Sequence, residues 1–205
     1  MRSHDKVYVD RDKGYPKTSA AGVDVSNRYT YKSFGIEGDY ERKLSRRNSV
    51  GVKAVLESLD YEDPVVWNQY DHTYLMLGTY LEHRLSSKTN LSAGVSTELR
   101  DYSERHAYSA DGRLLASNPL LTYKYMIYEL GLRHRFSANT VSYIDYEFLH
   151  RSDSHVGYND MDQSSFKVRV IHDLDDRMRL RVRVRLFDRD YPNAFNFEEP
   201  AQGIK

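Results

Sequence analysis

Met178 to Leu186 constrains this chain more than any other stretch. Every even position there is apolar, and Arg179, Arg181, Arg183 and Arg185 occupy the odd ones. A helix would scatter those arginines around its whole circumference. Strict alternation instead describes a strand with two unlike faces. The stretch before it, Phe166 to Leu174, carries Lys167 and Arg169 on alternate positions and connects through Asp175-Asp176-Arg177. Phe166 to Tyr191 therefore reads as a hairpin.

The same design recurs along the chain. Phe34, Ile36, Gly38 and Tyr40 share one face, with Glu37, Asp39, Glu41 and Lys43 on the other. After Ser45-Arg46-Arg47-Asn48, the return strand puts Val50, Val52, Ala54 and Leu56 opposite Lys53 and Glu57. A second hairpin sets Leu75, Leu77 and Leu81 against Tyr74, Tyr80, Glu82 and Arg84, and returns through Ser86 to Thr89 with Leu91, Ala93, Val95 and Leu99. In the third, Met126, Tyr128, Leu130 and Leu132 oppose Tyr125, Glu129, Arg133 and Arg135. Ile144, Tyr146 and Phe148 then oppose Asp145 and Glu147. An apolar residue (Leu44, Leu85, Phe136 or Leu174) precedes each short turn. Longer connections fall at about 60–69, 102–121 and 151–165. The pattern predicts an all-β antiparallel meander of eight to ten long strands, short turns on one rim and long loops on the other. Residues 1–33 are expected to hold a strand fragment, Val7-Tyr8-Val9, and a loop. Residues 34–191 form the hairpins and 192–205 a tail.

Composition narrows the function classes. Lys+Arg and Asp+Glu both number 30, which gives no overall attraction to nucleic acid. With 29% charged residues and a mean hydropathy of -0.74, no segment qualifies as a transmembrane helix. The absence of cysteine removes disulfide scaffolds and thiolate metal sites. Eighteen tyrosines against 7 Phe and 1 Trp suit surfaces with one apolar and one wet side. No apolar leader follows Met1, so the expectation is a mature or truncated chain.

The apolar band in each strand is about nine residues long, the length a tilted strand needs to cross hydrocarbon. Together with the alternating short and long connections, this pattern resembles the β-barrel proteins of the Gram-negative outer membrane, porin-like in outline, over about residues 34–191. The resemblance implies a transmembrane barrel with lipid and lipopolysaccharide against the apolar face. It implies passive transport, export or anchoring rather than catalysis. The charged face would line the interior as a ladder of Arg179, Arg181, Arg183, Arg185, Lys167, Arg169, Asp145, Glu147, Glu37, Asp39 and Glu41. Small anionic solutes or an exported polymer are the partners it suggests, with no cofactor and no metal. Because Arg183 and its neighbours would face Lys167 and Arg169, the arginines need carboxylates from elsewhere. The strand carrying Glu37, Asp39 and Glu41 supplies them if the first and last strands pair and close the barrel. A segment of a larger barrel is the other expectation.

Two alternatives stay open. One is a soluble, lipocalin-like barrel with the apolar face as its core. The other is a barrel enzyme with a rim site drawn from Asp71-His72, His106, Asp153-His155, Asp160 and Asp162. No nucleophile motif accompanies these residues. Asp153 to Asp162 also has the short carboxylate spacing of a calcium loop, without EF-hand geometry. His83, His134 and His172 fall on the apolar register near the short turns, as polar residues of an interface.

Overall fold

A computed structural model describes residues 31–61 and 70–194. Eight antiparallel strands form one sheet: β1 (Tyr31–Lys43), β2 (Asn48–Tyr61), β3 (His72–Arg84), β4 (Thr89–His106), β5 (Leu120–Arg135), β6 (Thr140–Asp153), β7 (Met161–Asp173) and β8 (Arg179–Asp190). Each strand pairs only with its neighbours in sequence, β1 to β8 in order. There is no α-helix among the described residues. The Val7–Val9 fragment, the Pro64–Trp67 connection and the tail from Phe195 lie outside them.

Sequential pairing follows from the turns. In the β1–β2 turn Ser45 Oγ accepts the Arg47 and Asn48 amides at 3.1 and 3.0 Å. Ser86 and Ser137 do the same for Lys88 and Asn139, at 3.1 and 3.2 Å. In the β7–β8 turn Asp175 Oδ1 accepts Arg177 and Met178, at 2.7 and 2.8 Å. A short side-chain acceptor satisfies amides that the tight reversal takes out of the ladder. The turns also touch one another: the Arg84, Arg135 and Asp173 amides donate to the Arg47, Lys88 and Asn139 carbonyls at 2.7 to 2.9 Å. The short-turn rim is thus a continuous hydrogen-bonded edge.

The two faces are covered in the opposite sense to a soluble sheet. Apolar side chains stand open: Phe34 is 53% exposed, Leu77 51%, Leu130 55% and Val182 50%. The polar face is the shielded one, and Tyr102, Tyr123, Tyr125, Gln163 and Ser165 are buried on it. Among the described residues no second layer covers either face. The asymmetry is absent at β8, which is exposed on both faces; over the inner strands the polar-face side chains shield one another. Gly51 allows one close approach there. The Tyr80 ring lies across it, 2.1 Å from where a β-carbon would sit.

Three sequence expectations are corrected. The first and last strands do not meet: no Cα of β1 lies within 8 Å of β8, so the described sheet is open. Second, β4 extends to His106 and β5 begins at Leu120, which shortens the connection expected over 102–121. Third, β6 runs to Asp153 and β7 starts at Met161, so much of the expected loop 151–165 is strand. Ladder hydrogen bonds hold these ends whatever their side chains, and polar ends carry no hydrophobic alternation to reveal them.

Candidate functional site: the polar face

The expected charge ladder lies on the polar face, but its members find local partners. Glu37 pairs with Lys53 across β1–β2 at 2.7 Å, and Glu147 with Lys167 across β6–β7 at 2.8 Å. Arg179 forms a fork with Asp173. Arg185 donates to Ser165 Oγ at 3.1 Å. Arg169 stacks on Tyr143 with its guanidinium 4.1 Å from the ring centre. The expected like-charge meeting is present, since Arg183 sits directly opposite Arg169 and Arg185 opposite Lys167. Asp145 is opposite Lys167 on the other side. Among the described residues Asp39, Glu41, Arg181 and Arg183 form no ion pair. The proposed meeting of the β1 acids with the β8 arginines is not made. Those strands are the two edges of the sheet, and each charge that finds a partner takes one from the adjoining strand.

The more organised feature lies at the long-connection end of the same face. Tyrosines cross it in a band. Tyr31 meets Tyr61 with ring centres 5.4 Å apart, and Tyr61 meets Tyr70 at 6.1 Å. Tyr102 meets Tyr123 edge-on at 5.8 Å, and Tyr123 meets Tyr125 at 6.1 Å. With Ala107 and Leu121 the last three form a buried hydrophobic cluster among the described residues. Three arginines rest on this floor. Arg100 lies 5.9 Å from the Tyr74 ring centre and 5.6 Å from that of Tyr125. Arg105 lies over Tyr70 and Tyr102 at 5.5 and 5.3 Å. Arg151 lies over Tyr123 at 4.6 Å and Tyr191 at 5.8 Å. Arg105 reaches the polar face because the ladder shifts register between Asp101 and His106. None of the three is within 4 Å of a carboxylate among the described residues. Arg100 Nε is buried without a hydrogen-bond partner.

The candidate rim catalysts are not brought together. Asp71 accepts the Tyr61 amide at 2.6 Å, and His72 Nδ1 lies 2.7 Å from the Tyr70 carbonyl. Burial pushes the Asp71 carboxyl above its ordinary range, while the Tyr61 amide pulls the other way. His106 Nδ1 lies 2.6 Å from the Asn118 carbonyl. Asp153 is a loop organiser: its carboxylate accepts the His155, Gly157 and Asn159 amides at 3.0, 2.8 and 2.9 Å. Gly157 turns with φ 75°, where a side chain would be strained. Asp160 Oδ1 accepts the Asp153 amide at 2.8 Å. Asp162 pairs with His150 at 2.6 Å, and both residues belong to the apolar register. The Asp153–Asp162 carboxylates are thus occupied with backbone and histidine, and no cluster of potential metal ligands occurs among the described residues.

His83, His134 and His172 form a repeat. Each pairs with the residue directly opposite at the start of an earlier strand, Asn48, Thr89 and Thr140. They make a polar row beside the short turns.

The class these features define is an eight-stranded antiparallel meander, open among the described residues, with its apolar side chains on the exposed face and most of its ionic side chains on the other. No protein-family model, curated protein or solved structure matches the chain.

Proposed function

We propose that this chain forms wall of a Gram-negative outer-membrane β-barrel, with its apolar face against lipid and its charged face along an aqueous interior. In this reading it is porin-like and non-catalytic, serving passage, export or anchoring, and lipid and lipopolysaccharide are its outer partners. One observation carries the reading. The apolar side chains of successive strands occupy the uncovered face, while the shielded face holds the charges. In water such an apolar area far exceeds what monomers ordinarily expose; in a bilayer it is the required arrangement.

Three further features support it. Strands of 12 to 18 residues exceed the nine to eleven that a tilted crossing needs. Short turns and long connections segregate to opposite rims. No helix among the described residues is long and apolar enough to cross a membrane, so a crossing would be made by strands. Lipid tolerates no unpaired strand edge, so the proposal includes pairing of the β1 and β8 edges with other strands. The soluble-barrel alternative needs Leu130 and Val182 in a core, against their exposure here.

The test is partition. Expressed behind an export signal in a Gram-negative host, the protein is expected in the outer-membrane fraction after carbonate washing. Purified in detergent, it is expected to insert into vesicles with strand-rich circular dichroism. Recovery as a detergent-free soluble monomer would overturn the reading.

A further inference from the structure

β1 and β8 are the two edges of the sheet, and their outer sides match one another. The Leu44 amide donates to the Asn48 carbonyl, and β1 continues in that register, so its even positions bond to β2. Its odd positions, Asp39 and Glu41 among them, turn their N–H and C=O groups to the outer edge. The Leu174 amide donates to the Met178 carbonyl, which commits the even positions of β8 to β7 in the same way. Arg181 and Arg183 therefore present theirs at the opposite edge. On both edges the outward backbone groups belong to polar-face residues. An antiparallel ladder joining the edges sets those residues directly opposite one another.

One register matches the most groups. With Asp39 opposite Arg183, Glu41 falls opposite Arg181, and these are the four charges that form no ion pair among the described residues. Glu37 falls opposite Arg185; they already engage Lys53 and Ser165 and add less. On the apolar face Ile36 meets Leu186 and Tyr40 meets Val182. Gly35 falls opposite Phe187, a large apolar side chain on the polar face, 61% exposed and flanked by Arg185 and Arg189. Gly51 opposite Tyr80 is the same pairing of glycine with a ring. From β7, Arg169 and Lys167 set like charge against Arg183 and Arg185, which favours acids on their other side.

We propose that these edges are covered by second copies of this chain, β8 of one copy pairing with β1 of the next. A head-to-tail contact of this kind repeats until a ring closes. The smallest ring has two copies of eight strands, sixteen in all, a size at which barrels hold an aqueous channel. All short turns stay on one rim. The inference names the strands that complete the wall proposed above, and it rests on that reading for its lipid setting.

Disulfide trapping tests it in a chain that has no cysteine of its own. Gly38 and Val184 fall opposite in this register at a non-hydrogen-bonded pair, about 4.5 Å apart at Cα and within reach of a disulfide. A β-carbon at Gly38 meets nothing within 4 Å. Gly38→Cys and Val184→Cys chains, mixed, folded together in lipid vesicles and oxidised, should give a species of twice the 24.0 kDa chain mass. Gly38→Cys mixed with Leu180→Cys should give about tenfold less. Charges are reversed in pairs, because Arg183 alone trades Asp39 against relief from Arg169. Asp39→Arg with Glu41→Arg in the first chain should lower the yield about tenfold, and Arg181→Glu with Arg183→Glu in the second should restore it. A single chain carrying both cysteines that locks as a monomer closes on itself and overturns the proposal. Folded chains, checked by circular dichroism, that give no cross-linked species overturn it too. Membrane insertion without trapping defeats this inference alone. Trapping between chains that stay soluble without detergent keeps the contact and defeats the barrel reading.

Discussion

Two groups of arginines occupy the same polar face and are built in opposite ways. On β8, Arg179 to Arg185 lie on an edge strand exposed along its whole length. Arg183 faces Arg169, and its group is held by whatever single acceptor lies beside it. On β4 and β6, Arg100, Arg105 and Arg151 lie on tyrosine rings less than a tenth exposed. The first group has the conspicuous sequence; the second has the constructed environment. Density of charge along a strand reports which face a residue occupies. Whether that charge is held in place depends on what the neighbouring strands put beneath it.

The largest contrast should come from the floor. Tyr123→Ala removes a ring that is 5% exposed and sits beneath Arg151. By analogy with other large aromatic truncations it should cost about 3–5 kcal/mol. Unfolding in urea from lipid vesicles measures this, and a cost below about 1 kcal/mol would mean that the tyrosines are not a core. Next in size is the outward face. Leu130→Arg should cost about 2–4 kcal/mol in a bilayer if Leu130 lies near its midplane. The same titration in vesicles reads it, and a near-zero effect would break the lipid assignment. Gly51→Ala drives a methyl group into the far end of the Tyr80 ring, which must swing aside, and should cost about 1 kcal/mol or less. Pairing it with Tyr80→Ala should remove that penalty, which a double-mutant cycle would register.

The β8 side should respond least. Glu37→Gln breaks an exposed ion pair with Lys53 and should change stability by less than about 1 kcal/mol. Arg183→Ser removes a like charge from opposite Arg169 and should be neutral or stabilising by a few tenths of a kcal/mol. If Arg183→Ser instead cost as much as Tyr123→Ala, the contrast between the two groups would disappear.

Much of the architecture was legible in the residues. Alternation at Phe34–Tyr40, Leu75–Leu81, Met126–Leu132 and Met178–Leu186 identified strands and their two faces, because the side-chain period of a strand is fixed at two. Apolar residues followed by Ser or Asp marked the short turns, since those side chains cap the freed amides. The ends of β4 and β7 were not legible, because Ser103, Glu104, Gln163 and Ser164 carry no apolar rhythm. The open edges were not legible either. Charge complementarity between Glu37–Glu41 and Arg179–Arg185 describes a compatible pair, and local hairpin partners were nearer.

The tyrosine-floored group was missed for a different reason. Alternation puts Tyr125 on the charged face with Glu129 and Arg133, Tyr123 two residues before it shares that face, and Arg100 and Tyr102 also share a register. That much was a signal. Arg105 joins them only through the register shift after Asp101, and Tyr70 from a connection between strands. Neither position follows from periodicity.

Orientation in the bilayer carries the whole account, and the cysteine-free chain makes it directly measurable. Spin labels at Leu130→Cys and Asp145→Cys, read in lipid vesicles, should divide cleanly: the label at 130 relaxed by oxygen and shielded from a water-soluble nickel chelate, the label at 145 the reverse. Nickel reaching position 130 while position 145 stays dry would contradict it.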